Sequence, residues 1–193
     1  MSPAPARTSN DAIVAAARRI LESDGLSAVT MRSVAEAVGV KGPSLYKRLP
    51  DRAALLRAVS ASVVADLSHT MARATASDDA RADLRAATVD YRAFVLRNPN
   101  GYRLLFADLP PGASPDPASV AALGEPIVRS MARLTGEADA LEGARTIVAL
   151  AHGFVTMELA GAFRLGGDLE AAYAFGIDAI VAGVTERATP ASR

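Results

Sequence analysis

Residues 30–49 read TMRSVAEAVGVKGPSLYKRL. Thr30 is a residue type that caps helix N-termini, and Val34, Ala35 and Val38 fall on one face of the helix it would open. Gly39 supplies the positive φ that stops such a helix. Gly42-Pro43 begins a second helix, with proline in the first turn where its missing N–H is no loss, and Leu45 and Leu49 give an inward face until Pro50 ends it. Two short helices meeting across a glycine turn form a helix-turn-helix. The positions buried where they cross, Val34, Val38, Val40 and Leu45, are aliphatic, and Ala35 is small enough for close approach. Lys41, Ser44, Tyr46, Lys47 and Arg48 are left facing outward. These are donors for phosphates and base edges with one aromatic among them, as a helix in a major groove requires. The competing account is a solvated face on an ordinary helical hairpin.

Composition narrows the setting of this motif. Of 193 residues half are hydrophobic, aromatics are 5% and tryptophan is absent, while alanine is abundant, which favours closely packed helices and predicts an all-α chain. No cysteine is present, and the two histidines are His69 and His152, so disulfides, thiolate sites and histidine-rich metal sites are not expected, and no cofactor or metal is assigned. The opening MSPAPARTSND lacks an apolar core and reads as neither signal peptide nor membrane anchor; a cytoplasmic protein without a membrane partner is expected. Net charge is zero, but residues 1–50 carry seven Lys plus Arg against four acids, and the remainder 14 against 17. A positive head on a mildly negative body fits phosphate docking at one end.

In chain order, Ser9 or Asn10 caps a helix to about Asp24, stopped by Gly25, which completes a three-helix DNA-binding head over residues 1–50. Asp51 caps a connector helix over residues 51–75, and Arg52 in its first turn is placed to face a phosphate. Residues 76–193 are the expected ligand-binding and dimerisation body. A helix opened by Asp78 and Asp79 runs to Arg97, where Asn98-Pro99-Asn100-Gly101 breaks it; Tyr102–Ala107 makes a short apolar helix. The proline-rich loop 109–117 is placed to gate an interior cavity. Helices are expected over about 118–134, 139–164 and 168–187. The last two are apolar on more than one face, and a chain this short has little with which to bury both. A homodimeric four-helix interface accounts for that, with Gly153, Ala160, Gly161, Gly176, Ile180 and Gly183 on smooth strips.

The chain resembles the TetR family of transcriptional regulators. The carrying residues are Thr30-Met31-Arg32, Val34-Ala35, Gly39-Val40, Leu45-Tyr46, Asp51-Arg52 and Leu55-Leu56. The segment 151–161, AHGFVTMELAG, is similar to the Trp-His-Gly motif of one C-terminal class, with Ala151 where that motif has tryptophan. The family usually has an aromatic residue in place of Leu49 and a lysine in place of Arg52. The resemblance implies an Ω-like homodimer whose two heads read two half-sites of a pseudo-palindromic double-stranded operator, and a repressor released by a small-molecule effector. The DNA-facing set is then Thr30, Arg32, Lys41, Ser44, Tyr46, Lys47 and Arg52.

The body offers Tyr91, Phe94, Tyr102, Phe106, His152, Phe154, Met157 and Glu158 as an expected pocket of apolar walls with a few polar handles. Each is also an ordinary core position at helical spacing. A helical-bundle enzyme, or an interaction module without DNA binding, is the alternative. The sequence shows no phosphate loop after a strand, no nucleophile elbow and no histidine paired with a nucleophile, so no catalytic residue is assigned.

Overall fold

In the computed structural model, which describes residues 9–188, the order of elements is α1 (Asn10–Asp24), a 3-10 turn (Leu26–Ala28), α2 (Met31–Ala37), α3 (Gly42–Tyr46), α4 (Arg52–Ala74), α5 (Ala80–Arg97), α6 (Pro99–Leu104), α7 (Pro117–Ala122), α8 (Glu125–Thr135), α9 (Glu137–Leu159) and α10 (Leu169–Ala188). The described residues contain no strand, so the fold is all-α. Polar side chains set many of the helix starts. The Ser9 hydroxyl accepts from the Ala12 amide at 3.1 Å, Asp51 Oδ1 from Ala54 at 2.7 Å, Asp79 Oδ1 from Arg81 at 2.8 Å and Asp168 Oδ1 from Glu170 at 2.8 Å.

The chain divides into two compact units. The first holds residues up to Ala65 together with Asn98–Ser119, and the second holds Asp66–Arg97 with residues from Val120 onward. Packing therefore differs from a linear head, connector and body: residues 98–119 belong with the N-terminal unit. Its core gathers Ile13, Leu21, Val29, Val34, Leu45, Leu55, Leu56 and Val59 with Leu104 and Ala113. Glu22 draws α6 into this unit: its carboxylate accepts from the Gly101 amide at 2.7 Å and the Asn100 amide at 3.1 Å. A side chain at residue 101 would place its Cβ 2.9 Å from Glu22 Oε1 and 3.2 Å from Val63, which is why glycine stands there.

The second unit packs α5, α8, α9 and α10 around Leu84, Val95, Ile127, Met131, Ile147, Val155, Tyr173, Ile177 and Val181. Met131 fills the space over Gly143, where a Cβ would meet its sulfur at 2.7 Å.

Several segment boundaries depart from the sequence expectation. Helix α3 ends at Tyr46, with Lys47–Leu49 in a turn. Pro99 opens α6 instead of merely breaking α5, because proline is well placed at a first helical position. The helix expected over 118–134 is two helices, parted at Leu123 and Gly124, and Pro126 has no N–H to continue α7. Loop 109–117 is fastened down: Ala113 is fully buried, and Arg57 Nη1 donates to the Gly112 carbonyl at 2.8 Å. That argues against its role as a gate. Helix α9 ends at Leu159, not Arg164, where Gly161 takes φ +63° and the Ala162 amide bonds back to the Met157 carbonyl at 2.9 Å.

Candidate nucleic-acid interface and body cavity

Helix α2 begins with reciprocal capping. The Ser33 amide donates to Thr30 Oγ1 at 3.0 Å, and the Thr30 amide donates to Ser33 Oγ at 3.1 Å. Thr30 Oγ1–H donates to Ser33 Oγ at 2.9 Å, and Ser33 in turn to the Ala28 carbonyl at 2.7 Å. Thr30 is therefore occupied in building the motif, not displayed as a phosphate donor. Gly39, with φ +69°, turns the chain so that the Val40 amide reaches the Ala35 carbonyl at 3.0 Å. Val34 and Leu45 are fully buried at the crossing, Ala35 nearly so, and Val38, Val40 and Leu49 pack partly buried against them.

This arrangement leaves Lys41, Ser44, Tyr46 and Lys47 exposed around α3, with Tyr46 at 53%. Within the described residues none of their side chains makes a hydrogen bond or ion pair. The other cations nearby are engaged. Arg32 Nε meets Glu36 at 2.9 Å on the open surface, and the hydrogen bond to that carboxylate raises the guanidinium pKa. Arg48 donates to Asn10 Oδ1 at 3.2 Å. Arg52, expected at a phosphate, turns inward instead: Nε donates to the Val29 carbonyl at 2.7 Å and Nη2 to the Leu26 carbonyl at 2.8 Å. It ties α4 to the turn before α2, a bond invisible in the sequence because its partners are backbone atoms more than twenty residues away.

The expected body pocket is not one cavity. Tyr102 is buried against the ring of Phe106, which is itself 65% exposed, and both lie in the N-terminal unit. Phe154 packs on Phe163 and Tyr173, with ring centroids 4.7 Å and 5.1 Å away. Glu158 is bound in a fork by Arg92, with Nε at 2.8 Å from one carboxylate oxygen and Nη2 at 2.6 Å from the other. That hydrogen bond raises the pKa of Arg92, with burial pulling the other way. Phe94 is a buried core residue, His152 is half-buried and Met157 is 47% exposed. Tyr91 lines a cavity of about 30 Å³, shared with Met71, Ala87, Ile127, Ile147 and Ala151.

On the expected dimer strips, Gly153 and Gly183 open onto empty space, whereas Gly176 faces Leu150 of its own chain, whose Cδ2 lies 3.0 Å from where a Cβ would sit. Gly176 thus serves the packing of α10 on α9. Ile180 is half-buried, and Ala160 and Gly161 lie beyond the end of α9 as its terminating turn. What α10 does display is Ala172, Phe175 at 78% exposure, Ala179 and Gly183; Ala172, Ala179 and Gly183 belong to the small-residue strip expected on this helix, and Phe175 is the member that spacing did not single out. Among the described residues no helix is long and apolar enough to cross a membrane.

Residues 13–59 match the family described as bacterial regulatory proteins, tetR family, and residues 84–180 match the tetracyclin repressor-like C-terminal domain. An uncharacterized HTH-type transcriptional regulator of Mycobacterium tuberculosis is 30% identical, over 96% of this chain and 85% of that protein. The class C tetracycline repressor of Escherichia coli is 29% identical over 49% of this chain and 42% of that protein. Among solved structures, a protein of unknown function from Rhodococcus sp. RHA1 superposes with TM-score 0.78 at 27% identity, covering 89% of this chain and 92% of that one. A TetR variant from Acinetobacter baumannii AYE, solved with minocycline, superposes with TM-score 0.68 at 24% identity, covering 94% and 98%. The helix-turn-helix built by Thr30, Gly39 and Leu45 and the helical C-terminal unit are those of the TetR family of DNA-binding transcriptional regulators, to which this chain belongs.

Proposed function

We propose that this regulator is a cytoplasmic homodimeric repressor that binds a pseudo-palindromic operator and leaves it when a small apolar effector enters the body. The observation that carries the DNA reading is the set Lys41, Ser44, Tyr46 and Lys47, exposed and without internal bonds on the second helix of the motif and at its two ends. Lys41 and Lys47 supply phosphate contacts, and Ser44 and Tyr46 meet base edges. Arg32 joins them by exchanging Glu36 for a phosphate, an exposed pair that is cheap to break. Thr30 and Arg52 shape the motif without touching DNA.

The exposed stripe of α10, with Gly153 on α9, supports the dimer: Phe175 in open solvent is costly until a second copy covers it. The cavity beside Tyr91 supports the effector reading, and at about 30 Å³ it holds no more than a water, so an effector must part its walls. A small molecule shifts the DNA-binding equilibrium through its unequal affinity for the two states, so effector and operator weaken each other by one common factor.

The test is fluorescence anisotropy with a duplex from upstream of its own gene, across a salt series. Log affinity should fall linearly with log salt, and the Lys47→Ala variant should show a shallower slope. Equal affinity for an unrelated duplex would remove sequence-specific recognition. Sedimentation of Phe175→Glu should give monomer where the native chain gives dimer.

A further inference from the structure

A groove of about 490 Å³ runs between α8 and α9 on the C-terminal unit, far larger than the cavity beside Tyr91. Its floor is aliphatic, from Val128, Leu141, Ala144 and Val148, and Leu141 and Val148 are each 44% exposed there. Three charged residues line it as well. Arg145 makes no hydrogen bond or ion pair within the described residues. Arg129 stands 3.9 Å from Glu125, too far for a hydrogen bond, with both side chains about two-thirds exposed. Two guanidinium groups against one carboxylate leave the groove with an excess positive charge over an apolar floor. Val148 also walls the cavity beside Tyr91, and the successive pairs Ile127-Val128 and Ile147-Val148 put one residue in the cavity and the next in the groove.

We infer that the α8–α9 groove binds an apolar carboxylic acid, whose carboxylate lies on Arg129 and Arg145 and whose tail covers Val128, Leu141 and Val148. A neutral amphiphile gains the floor but not the charge; a cationic one meets both arginines unfavourably. Glu125 opposes the ligand and competes for Arg129. Binding itself stands without the effector reading. What it does to DNA rests on that reading, through Val148 as the shared wall.

The experiment is calorimetric titration of the full-length, DNA-free protein with decanoate, decanol and decyltrimethylammonium. Decanoate should bind at least about tenfold more tightly than decanol, the size of one charge-assisted contact, and the ammonium compound should bind more weakly than either. Arg129→Ala with Arg145→Ala should weaken decanoate by at least about tenfold and leave decanol unchanged, while Glu125→Gln should tighten decanoate several-fold. That gain of affinity is a readout no misfolded variant would give. Decanol binding as tightly as decanoate, or arginine and Glu125 variants without effect, would overturn the proposal. So would an Arg145→Ala variant that leaves decanoate affinity intact but shifts the sedimentation coefficient, since a second copy would then be the occupant. Decanoate binding of the expected profile with unchanged operator affinity would uphold the site and count against the effector reading.

Discussion

Three charged side chains of the N-terminal unit close on backbone, whereas three arginines of the C-terminal unit close on carboxylates. Arg52 reaches the carbonyls of Val29 and Leu26, Glu22 the amides of Asn100 and Gly101, and Arg57 the carbonyl of Gly112. In the body Arg92 pairs with Glu158, Arg133 with Asp83 and Arg85 with Asp178. A backbone carbonyl cannot be mutated away, and a backbone amide only by proline, so a contact of the first kind is largely fixed from one side. A contact of the second kind can be removed whole and replaced by packing. These two sets of contacts should therefore answer differently to single and double substitution.

The largest effect belongs to the most buried pair of the body. Arg92 and Glu158 are 16% and 14% exposed, and Glu158→Ala leaves the guanidinium beside the Tyr173 ring without its hydrogen-bonded carboxylate, with only the more distant charge of Glu170 to offset it. The expected loss is about 3 kcal/mol in urea denaturation. Replacing both, as Arg92→Met with Glu158→Leu, should come within about 1 kcal/mol of the native chain, because the desolvation cost disappears with the charges. Additive losses in the double variant would show that the pair is not coupled.

Arg52→Ala comes next, at about 2 kcal/mol, from the loss of both guanidinium hydrogen bonds, which leaves the Leu26 carbonyl with only the Val29 amide at 3.3 Å. No second substitution can restore it, since both partners are backbone. Arg52→Lys should recover less than half, because an ammonium lacks the planar fork that spans the two carbonyls. A stable Arg52→Ala protein that had lost only DNA affinity would return Arg52 to the phosphate role that its place in the first turn of α4 invites.

The same division governs what could be read from residues alone. Helix ends in the head depend on local signals, so Ser9, Thr30, Gly25, Gly39 and Asp51 disclosed α1, α2 and the start of α4 almost to the residue. Burial at Val34 and Leu45 followed from helical spacing. The body gave less, because its decisive contacts span dozens of residues. Glu158 lies 66 residues from Arg92, and nothing in the neighbourhood of either marks the other. Isolated on an apolar helix, Glu158 looked like a ligand handle. Gly176 looked like a dimer contact because spacing reports that a residue is small without reporting what it touches, and here it touches Leu150. The α8–α9 groove was equally hidden, since the sequence did not separate α8 from α7 and nothing local marks which side chains of α8 and α9 meet.

A smaller effect appears with pH. Burial by itself would raise the Asp83 pKa, but the hydroxyl and amide of Ser77 and the Arg133 guanidinium outweigh it and hold the carboxyl below the usual aspartate range. As pH falls, the unfolded chain takes up this proton first. The stabilisation is therefore complete above the ordinary aspartate value of about 4 and is lost as pH drops from there through the lower folded value. Asp83→Asn should cost about 1 kcal/mol at pH 7 and flatten that part of the acid limb. An unchanged limb would mean that other carboxylates control acid unfolding.

The smallest effect on stability is expected where neither kind of partner exists. Tyr46 and Lys47 are exposed and bonded to nothing within the described residues, so Tyr46→Ala and Lys47→Ala should each shift unfolding by less than about 0.5 kcal/mol. Their loss should instead appear in operator binding, on the order of 1 to 3 kcal/mol each. Arg48 is the internal control, since its Nη1 already donates to Asn10. Arg48→Ala should cost some stability and less operator affinity than Lys47→Ala. Measuring unfolding and DNA affinity on all three separates a side chain held in reserve for a partner from one spent on the fold. If Tyr46→Ala and Lys47→Ala destabilise the protein as much as they weaken the operator complex, the exposed face of α3 belongs to the architecture of the head and the DNA surface must be sought elsewhere on it.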